Sequence, residues 1–198
     1  MKLTRQAIAD VVLIEPSVHG DERGYFFESF RQDRLEETLG HAINFTQDNE
    51  SLSSRGVLRG LHYQLPPYAQ SKLVRVISGE VIDVAVDIRL GSPTFGQHVK
   101  AHLSGDNKHQ LFVPRGFAHG FIVLSEQAIF AYKVDNGYAP EHDCGIHYND
   151  AALGIDWQLD ASAISTSGKD AELPTLLTRQ QTAPDTLFEY GKNYYAQQ

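Results

Sequence analysis

The stretch "KLVRVISGEVIDVAVDIR", residues 72–89, decides the fold class. In its second half, Ile82, Val84, Val86 and Ile88 fall on one face, with Asp83, Asp87 and Arg89 mostly on the other. That period-2 alternation is the mark of a strand. "SGE" is a turn signal, so "KLVRVIS" and "VIDVAVDI" are expected to form a β-hairpin. Further along, "QLFVP", "GFIVLS" and "AIFAYKV" continue the pattern, separated by Gly, Pro, Ser and Asn. Short strands so punctuated predict an all-β sandwich, jelly roll or small barrel. The first convincing helix is "DRLEETLG", with Asp33 as N-cap and Gly40 as stop; "NDAALGIDW" and "PTLLTRQQ" are candidate short helical turns.

Bulk composition bounds the rest. A chain of 198 residues with 41% hydrophobic and 21% charged residues has the make-up of a soluble globular domain with a real core. The net charge of −8 argues against nucleic acid and against an anionic membrane surface. An anionic ligand therefore requires positive charge gathered locally. The lone cysteine, Cys144, excludes an internal disulfide and a Cys₃ or Cys₄ zinc site; it reads as an inert loop residue. The first residues, "MKLTRQAIADVVLIEP", lack a sustained apolar core and a small-residue cleavage site, so a cytoplasmic location is expected.

Alternation also places chemistry. In "VLRGLHYQ", Leu58, Gly60, His62 and Gln64 share a face; in "KLVRVIS", Lys72, Val74 and Val76; in "AIFAYKV", Phe130, Tyr132 and Val134. If the apolar members point into the barrel, His62, Lys72 and Tyr132 point in with them. Singly, each has a plain alternative: a satisfied core histidine, a lysine snorkelling at a strand end, a tyrosine at the barrel rim. An ammonium is rarely buried without a partner or a purpose, and three inward proton-transfer groups on neighbouring strands favour a site.

The stretch "LFVPRGFAHGF" carries Pro-x-Gly-x-x-His, which resembles the second half of the cupin signature. The first half would supply a His-x-His pair and a glutamate as metal ligands. This chain has His62-Tyr63-Gln64 and, before Gly79, Lys72 where the glutamate would stand. A cation at a ligand position repels a divalent metal, and His62 with His119 is too small a set, so no metal site is expected. The blocks "DERGYFFESF", "QDNESLSSRGVLRGLHYQ", "QSKLVRVISGEVIDVAVDIRLGSPTFG", "LFVPRGFAHGFIVLS" and "SGKD" resemble the dTDP-4-dehydrorhamnose 3,5-epimerase family over about Asp21 to Asp170. The resemblance implies a cupin-type double-stranded β-helix jelly roll with a few short helices. It also implies one domain over residues 1–198: a core at about 43–140, an N-terminal arm at about 1–42 and an irregular or helical C-terminal segment at about 141–198. It further implies a cofactor-independent isomerase acting on a dTDP-linked 4-keto-6-deoxyhexose, working as a homodimer whose N-terminal arm reaches the partner's barrel.

The C4 ketone of such a sugar acidifies the hydrogens at C3 and C5. Epimerisation then needs a base, an acid on the opposite face and a stabiliser for the enolate oxygen. His62 resembles the base and Asp170 its hydrogen-bonding carboxylate; by sequence alone Asp170 reads as a solvated loop acid. Lys72 resembles the charge beside the C4 oxygen, and Tyr132 the proton donor. Arg59 and Arg23 resemble diphosphate contacts, suited by their guanidinium forks; Arg23 also fits a turn before Gly24. Phe26, Glu28, Gln47, Asp48, Asn49, His119, Asp143 and Lys169 resemble further substrate contacts, although "QDNES" fits a turn as well. The family pattern has glutamate and arginine where this chain has Asp143 and Cys144, and proline where it has Ala151. Three other readings compete: a single 3- or 5-epimerase, a metal-dependent cupin oxygenase, and a non-catalytic sugar-nucleotide binding module. Gln64 and Lys72 speak against the second, and the joint presence of His62, Tyr132 and Arg59 against the third.

Overall fold

A computed structural model describes residues 1–195. The strands, in chain order, are β1 (Lys2–Arg5), β2 (Val12–Glu15), β3 (His19–Asp21), β4 (Gly24–Phe26), β5 (Gln47–Ser54), β6 (Leu58–Gln64), β7 (Lys72–Ser78), β8 (Glu80–Asp87), β9 (Arg89–Leu90), β10 (His98–Ser104), β11 (Gln110–Val113), β12 (Phe117–Val123), β13 (Gln127–Val134), β14 (Asp143–Gly145) and β15 (Phe188–Glu189). The helices are α1 (Gln32–Leu39), α2 (Gly168–Ala171) and α3 (Leu176–Thr182). Two sheets face each other in the expected jelly roll: β1-β2-β11-β7-β13-β5 and β10-β8-β12-β6-β14. No helix among the described residues is long and apolar enough to cross a membrane.

The stretch at residues 72–89 is a corner, not a hairpin. β7 pairs with β11 and β13, whereas β8 pairs with β10 and β12 in the other sheet. Gly79 makes the switch at φ 81°, and a Cβ there would stand 2.1 Å from the Gln127 carbonyl oxygen. Only glycine meets both demands.

β8 is covered on both sides, which overturns the simple reading of its faces. Ile82, Val84, Val86 and Ile88 pack outward against Ile146, Trp157, Leu176 and Phe188 of the C-terminal segment. The inward face carries Val81 and Ala85 with Asp83 between them, over Val74, Val76, Leu103, Leu111, Phe121 and Phe130. Each fully buried apolar side chain of this size contributes about 1.5–3 kcal/mol. Asp83 and Asp87 are fully buried, so both need partners. Asp87 accepts from the Arg89 amide and guanidinium and from the Ser92 and Thr94 hydroxyls at 2.6–3.0 Å.

The flanks join the core more closely than expected. β1 and β2, assigned by sequence to the arm, extend the six-stranded sheet through the β2–β11 pairing. β14, beyond the expected core, pairs with β6. α1 begins at Gln32 after Arg31, so Asp33 lies inside the first turn rather than at the cap, where its charge still suits the helix dipole. Gly40 ends the helix in the left-handed region as expected, donating to the Glu36 carbonyl at 2.8 Å. "PTLLTRQQ" contains α3, with Thr175 as a side-chain cap, whereas "NDAALGIDW" forms turns without a helix.

Candidate active site

A bulge in β6 builds one wall of the site. Against β12, His62 pairs with His119, but Arg59 pairs with Phe121, so one extra β6 residue is absorbed at Gly60–Leu61. The extra residue changes parity. Leu58 packs in the outer layer with Leu61 and Tyr63 and borders the cavity, whereas Arg59 and His62 line the cavity without joining that layer, so the expected common face for Leu58 and His62 does not hold. Gly60 sits at φ 132°, where a Cβ would be 2.6 Å from the Gly120 Cα. Asp170, held in α2 by the Ser167 cap, spans the bulge: one oxygen accepts the Gly60 amide at 3.2 Å, the other meets His62 Nε2 at 2.8 Å. Burial pushes the Asp170 carboxyl up, but the hydrogen bond and charge of His62, with the Gly60 amide and Ser167, hold it below its ordinary value. A carboxylate only accepts, so the proton of a neutral His62 sits on Nε2 and Nδ1 keeps the lone pair. Nδ1 has no hydrogen-bond partner among the described residues.

The opposite wall comes from the other sheet. Lys72 on β7 and Tyr132 on β13 lie on adjacent strands, one register step apart: Lys72 pairs with Val134 and Tyr132 with Val74. Both face His62 across a cavity of about 700 Å³, so the three groups sit on opposing sheets rather than on neighbouring strands. The Lys72 ammonium makes no hydrogen bond or ion pair among the described residues. Burial lowers its pKa from 10.5 to about 8, against the pull of Asp143 and Asp83. Burial raises the Tyr132 phenol; Arg59 opposes and Asp143 adds to the rise. Phe121 and Phe130, stacked at 4.0 Å, belong to the packed core and also line the cavity. His119 stacks on Phe130, and its Nε2 meets both oxygens of buried Asp83 at 2.9 and 3.0 Å.

The remaining candidates divide by position. Arg59, Asn49, Asp143 and Lys169 line the cavity. Arg59 donates to Ser53 at 3.1 Å, and Asp143 accepts from Lys169 at 2.6 Å and from Tyr138 at 3.4 Å. Gln47 does not line it but donates to Asn49 at 2.8 Å from the same face of β5. Asp48 points to the other face and pairs with Lys133 at 2.9 Å, as strand alternation requires. Arg23, Phe26 and Glu28 lie outside the cavity. Arg23 and Phe26 sit on the β3–β4 hairpin, where Tyr25 and Phe26 are 61% and 69% exposed and Arg23 pairs with Asp21. Glu28 meets Arg31 at 3.3 Å. Sequence reasoning missed Asp83, Ser53, Tyr138 and the Ser165–Ser167 rim. The cue for Asp83 was a charge inside an otherwise apolar strand. Among the described residues no three His, Cys, Asp or Glu side chains converge in a way that could hold a metal ion.

Comparison with known proteins gives the family. The sequence profile of the dTDP-4-dehydrorhamnose 3,5-epimerase family matches residues 5–178. The dTDP-4-dehydrorhamnose 3,5-epimerase of Pseudomonas aeruginosa is 57% identical over 173 residues, covering 87% of this chain and 95% of that one. Its counterpart in Escherichia coli is 54% identical over 176 residues, covering 89% and 95%. Among solved structures, the dTDP-6-deoxy-D-glucose-3,5-epimerase of Legionella pneumophila, in complex with dTDP-4-keto-L-rhamnose, superposes with a TM-score of 0.90 at 51% identity, covering 96% of this chain and 99% of that one. A match over most of each chain, on the expected fold, makes this chain a member of the dTDP-4-dehydrorhamnose 3,5-epimerase family.

Proposed function

We propose that the enzyme converts dTDP-4-dehydro-6-deoxy-D-glucose to dTDP-4-dehydro-L-rhamnose by epimerising C3 and C5, a step of dTDP-L-rhamnose synthesis for glycans such as O-antigen. One observation carries the reading: a histidine–carboxylate pair on one wall of the cavity faces, on the other, a phenol and an ammonium with no ion-pair partner among the described residues. In this reading His62 Nδ1 removes the proton α to the ketone. Asp170 holds Nε2–H and stabilises the imidazolium that forms. Lys72, a cation at neutral pH, faces the C4 oxygen as the enolate develops. Tyr132 returns a proton from the opposite sheet; a phenol whose pKa is raised remains a far stronger acid than the carbanion carbon. The chemistry draws on the substrate's own ketone and needs no cofactor.

Arg59, Asn49, His119, Asp143 and Lys169 contact the nucleotide sugar in this reading, and Arg59 is the cavity's guanidinium for the diphosphate. Arg23, Phe26 and Glu28 then act in the cavity of a second copy. The exposed aromatics of the β3–β4 hairpin support a homodimer with arm exchange, since such surface favours cover. Gln47 orients Asn49, and Asp48 stays on the outer face. The reading includes a cytoplasmic location beside the pool of nucleotide sugars. The test is proton NMR of dTDP-4-keto-6-deoxyglucose with enzyme in D₂O. Deuterium entering at both C3 and C5, with the L-lyxo product trapped by a reductase, is the expected result. Incorporation at one carbon makes the protein a single epimerase, and none at either removes the assignment.

A further inference from the structure

Asp83 is a fully buried carboxylate on the inner face of β8, between Val81 and Ala85; apolar side chains surround it, and the Lys72 ammonium acts on it through space, with no hydrogen bond between them among the described residues. Ionised, it has about four lone-pair sites. Among the described residues its hydrogen-bond partner is one nitrogen, His119 Nε2, shared by both oxygens at 2.9 and 3.0 Å. As a device for stability this is poor. A buried charge so sparsely satisfied does no better for the fold than apolar residues of similar volume. As a device for orientation it is well made. The acceptor-only carboxylate fixes the Nε2 proton and the ring plane, and the ring rests against Phe130. Nδ1 is left without a hydrogen-bond partner among the described residues, on a ring that lines the cavity. Register places this ring directly opposite His62 across the β6–β12 pair, so two imidazoles stand side by side, each backed through Nε2 by a buried carboxylate.

We propose that Asp83 is a positioning residue that anchors His119 through Nε2 and so reserves Nδ1 for a polar group of the bound sugar nucleotide. The inference rests on the epimerase reading for its kinetic test, but the state of the ring can be read without turnover.

In the unmodified, ligand-free protein, nitrogen-15 NMR of the imidazoles is expected to show His119 with its proton on Nε2, slow to exchange with water. A proton-free Nε2 overturns the proposal whatever the enzyme catalyses. Asp83→Asn, which can turn an NH₂ toward the ring and favour the opposite tautomer, is expected to lose the slowly exchanging signal. It should lower kcat/KM by about 10- to 100-fold, the scale of losing one hydrogen bond to a charged group, with the melting temperature nearly unchanged. The same substitution added to His119→Ala should cost nothing further. An equal loss in both backgrounds, or an unchanged kcat/KM in Asp83→Asn, overturns the proposal. Should the unmodified enzyme leave the 4-keto sugar unaltered, the epimerase reading fails while the NMR result still decides the role of Asp83.

Discussion

Replacing Lys72 by methionine sets activity against stability. Methionine keeps an unbranched stem and gives up the charge. Folding lowers the Lys72 pKa from 10.5 to about 8 because burial penalises the ammonium. At pH 7 both folded and unfolded chains carry the proton, and a shift of that size costs the folded state about 3 kcal/mol. Lys72→Met should recover most of this, raising the melting temperature by about 6–12 °C for a chain of this length. The sign follows from linkage. The folded pKa lies below the unfolded one, so the cost is full below pH 8, shrinks as pH rises, and is gone above 10.5, where neither state is charged. The stability of the unmodified protein should therefore climb between pH 8 and 10.5 relative to the variant, and the two melting curves should converge. Over the same substitution kcat should fall about 10²–10³-fold, the usual effect of removing one oxyanion donor. Scanning calorimetry of both proteins at pH 7, 8.5 and 10, without ligand, makes the comparison, and deuterium exchange at C3 and C5 gives the rate. A variant that melts below the unmodified protein at pH 7 would refute the argument, since the ammonium would then be a net stabiliser. A variant of unchanged rate would remove Lys72 from the chemistry.

Other outcomes follow from the same geometry. Asp170→Asn should drop kcat by about 10³–10⁴-fold, because an amide no longer enforces the Nε2–H tautomer of His62; steady-state kinetics with dTDP binding measured in parallel separates this from a lost fold. Tyr132→Phe should still exchange deuterium from the His62 side yet form epimer poorly, and equal loss of both in NMR time courses would make Tyr132 a positioning group. Gly60→Ala forces a side chain into φ 132° and against the Gly120 backbone, so it should destabilise by about 3 kcal/mol or more, seen as a lower urea midpoint.

Local periodicity was enough to read strands β7, β8, β11, β12 and β13 and the inward direction of Lys72 and Tyr132, because each lies in an unbroken alternation. It failed wherever the answer depended on a distant partner. A turn signal at Ser78–Gly79 reports that the chain changes direction, not which sheet receives the next strand, so a corner read as a hairpin. The bulge at Gly60–Leu61 alters parity without any mark in composition, so the side chains of Leu58, Arg59 and His62 could not be sorted by counting. Asp83 passed for a polar-face residue because the C-terminal layer that covers the far side of β8 lies some sixty residues downstream and more. Asp170 reaches His62 from the far end of the chain, and only the resemblance, not spacing, suggested the pair. The aromatic run Tyr25–Phe27 is plain in the sequence, yet the place of the β3–β4 hairpin outside the cavity is a matter of tertiary reach.

The corner at Gly79 also bears on how the protein comes to exist. Because β5, β6, β7 and β8 enter alternate sheets, β7 has no local strand to zip against and waits for β11 and β13, and β6 for β12 and β14. Such non-local pairing makes for slow folding, since long loops are closed before any contact rewards them. On a ribosome the order is stricter still. His62 and Lys72 emerge early, but the wall that carries Lys72 is complete only when Tyr132 arrives, and His62 gains its carboxylate when Asp170 clears the exit tunnel. A nascent chain halted just before that point would hold every strand of the two large sheets yet lack the His62–Asp170 pair, so catalytic competence should switch on late during synthesis.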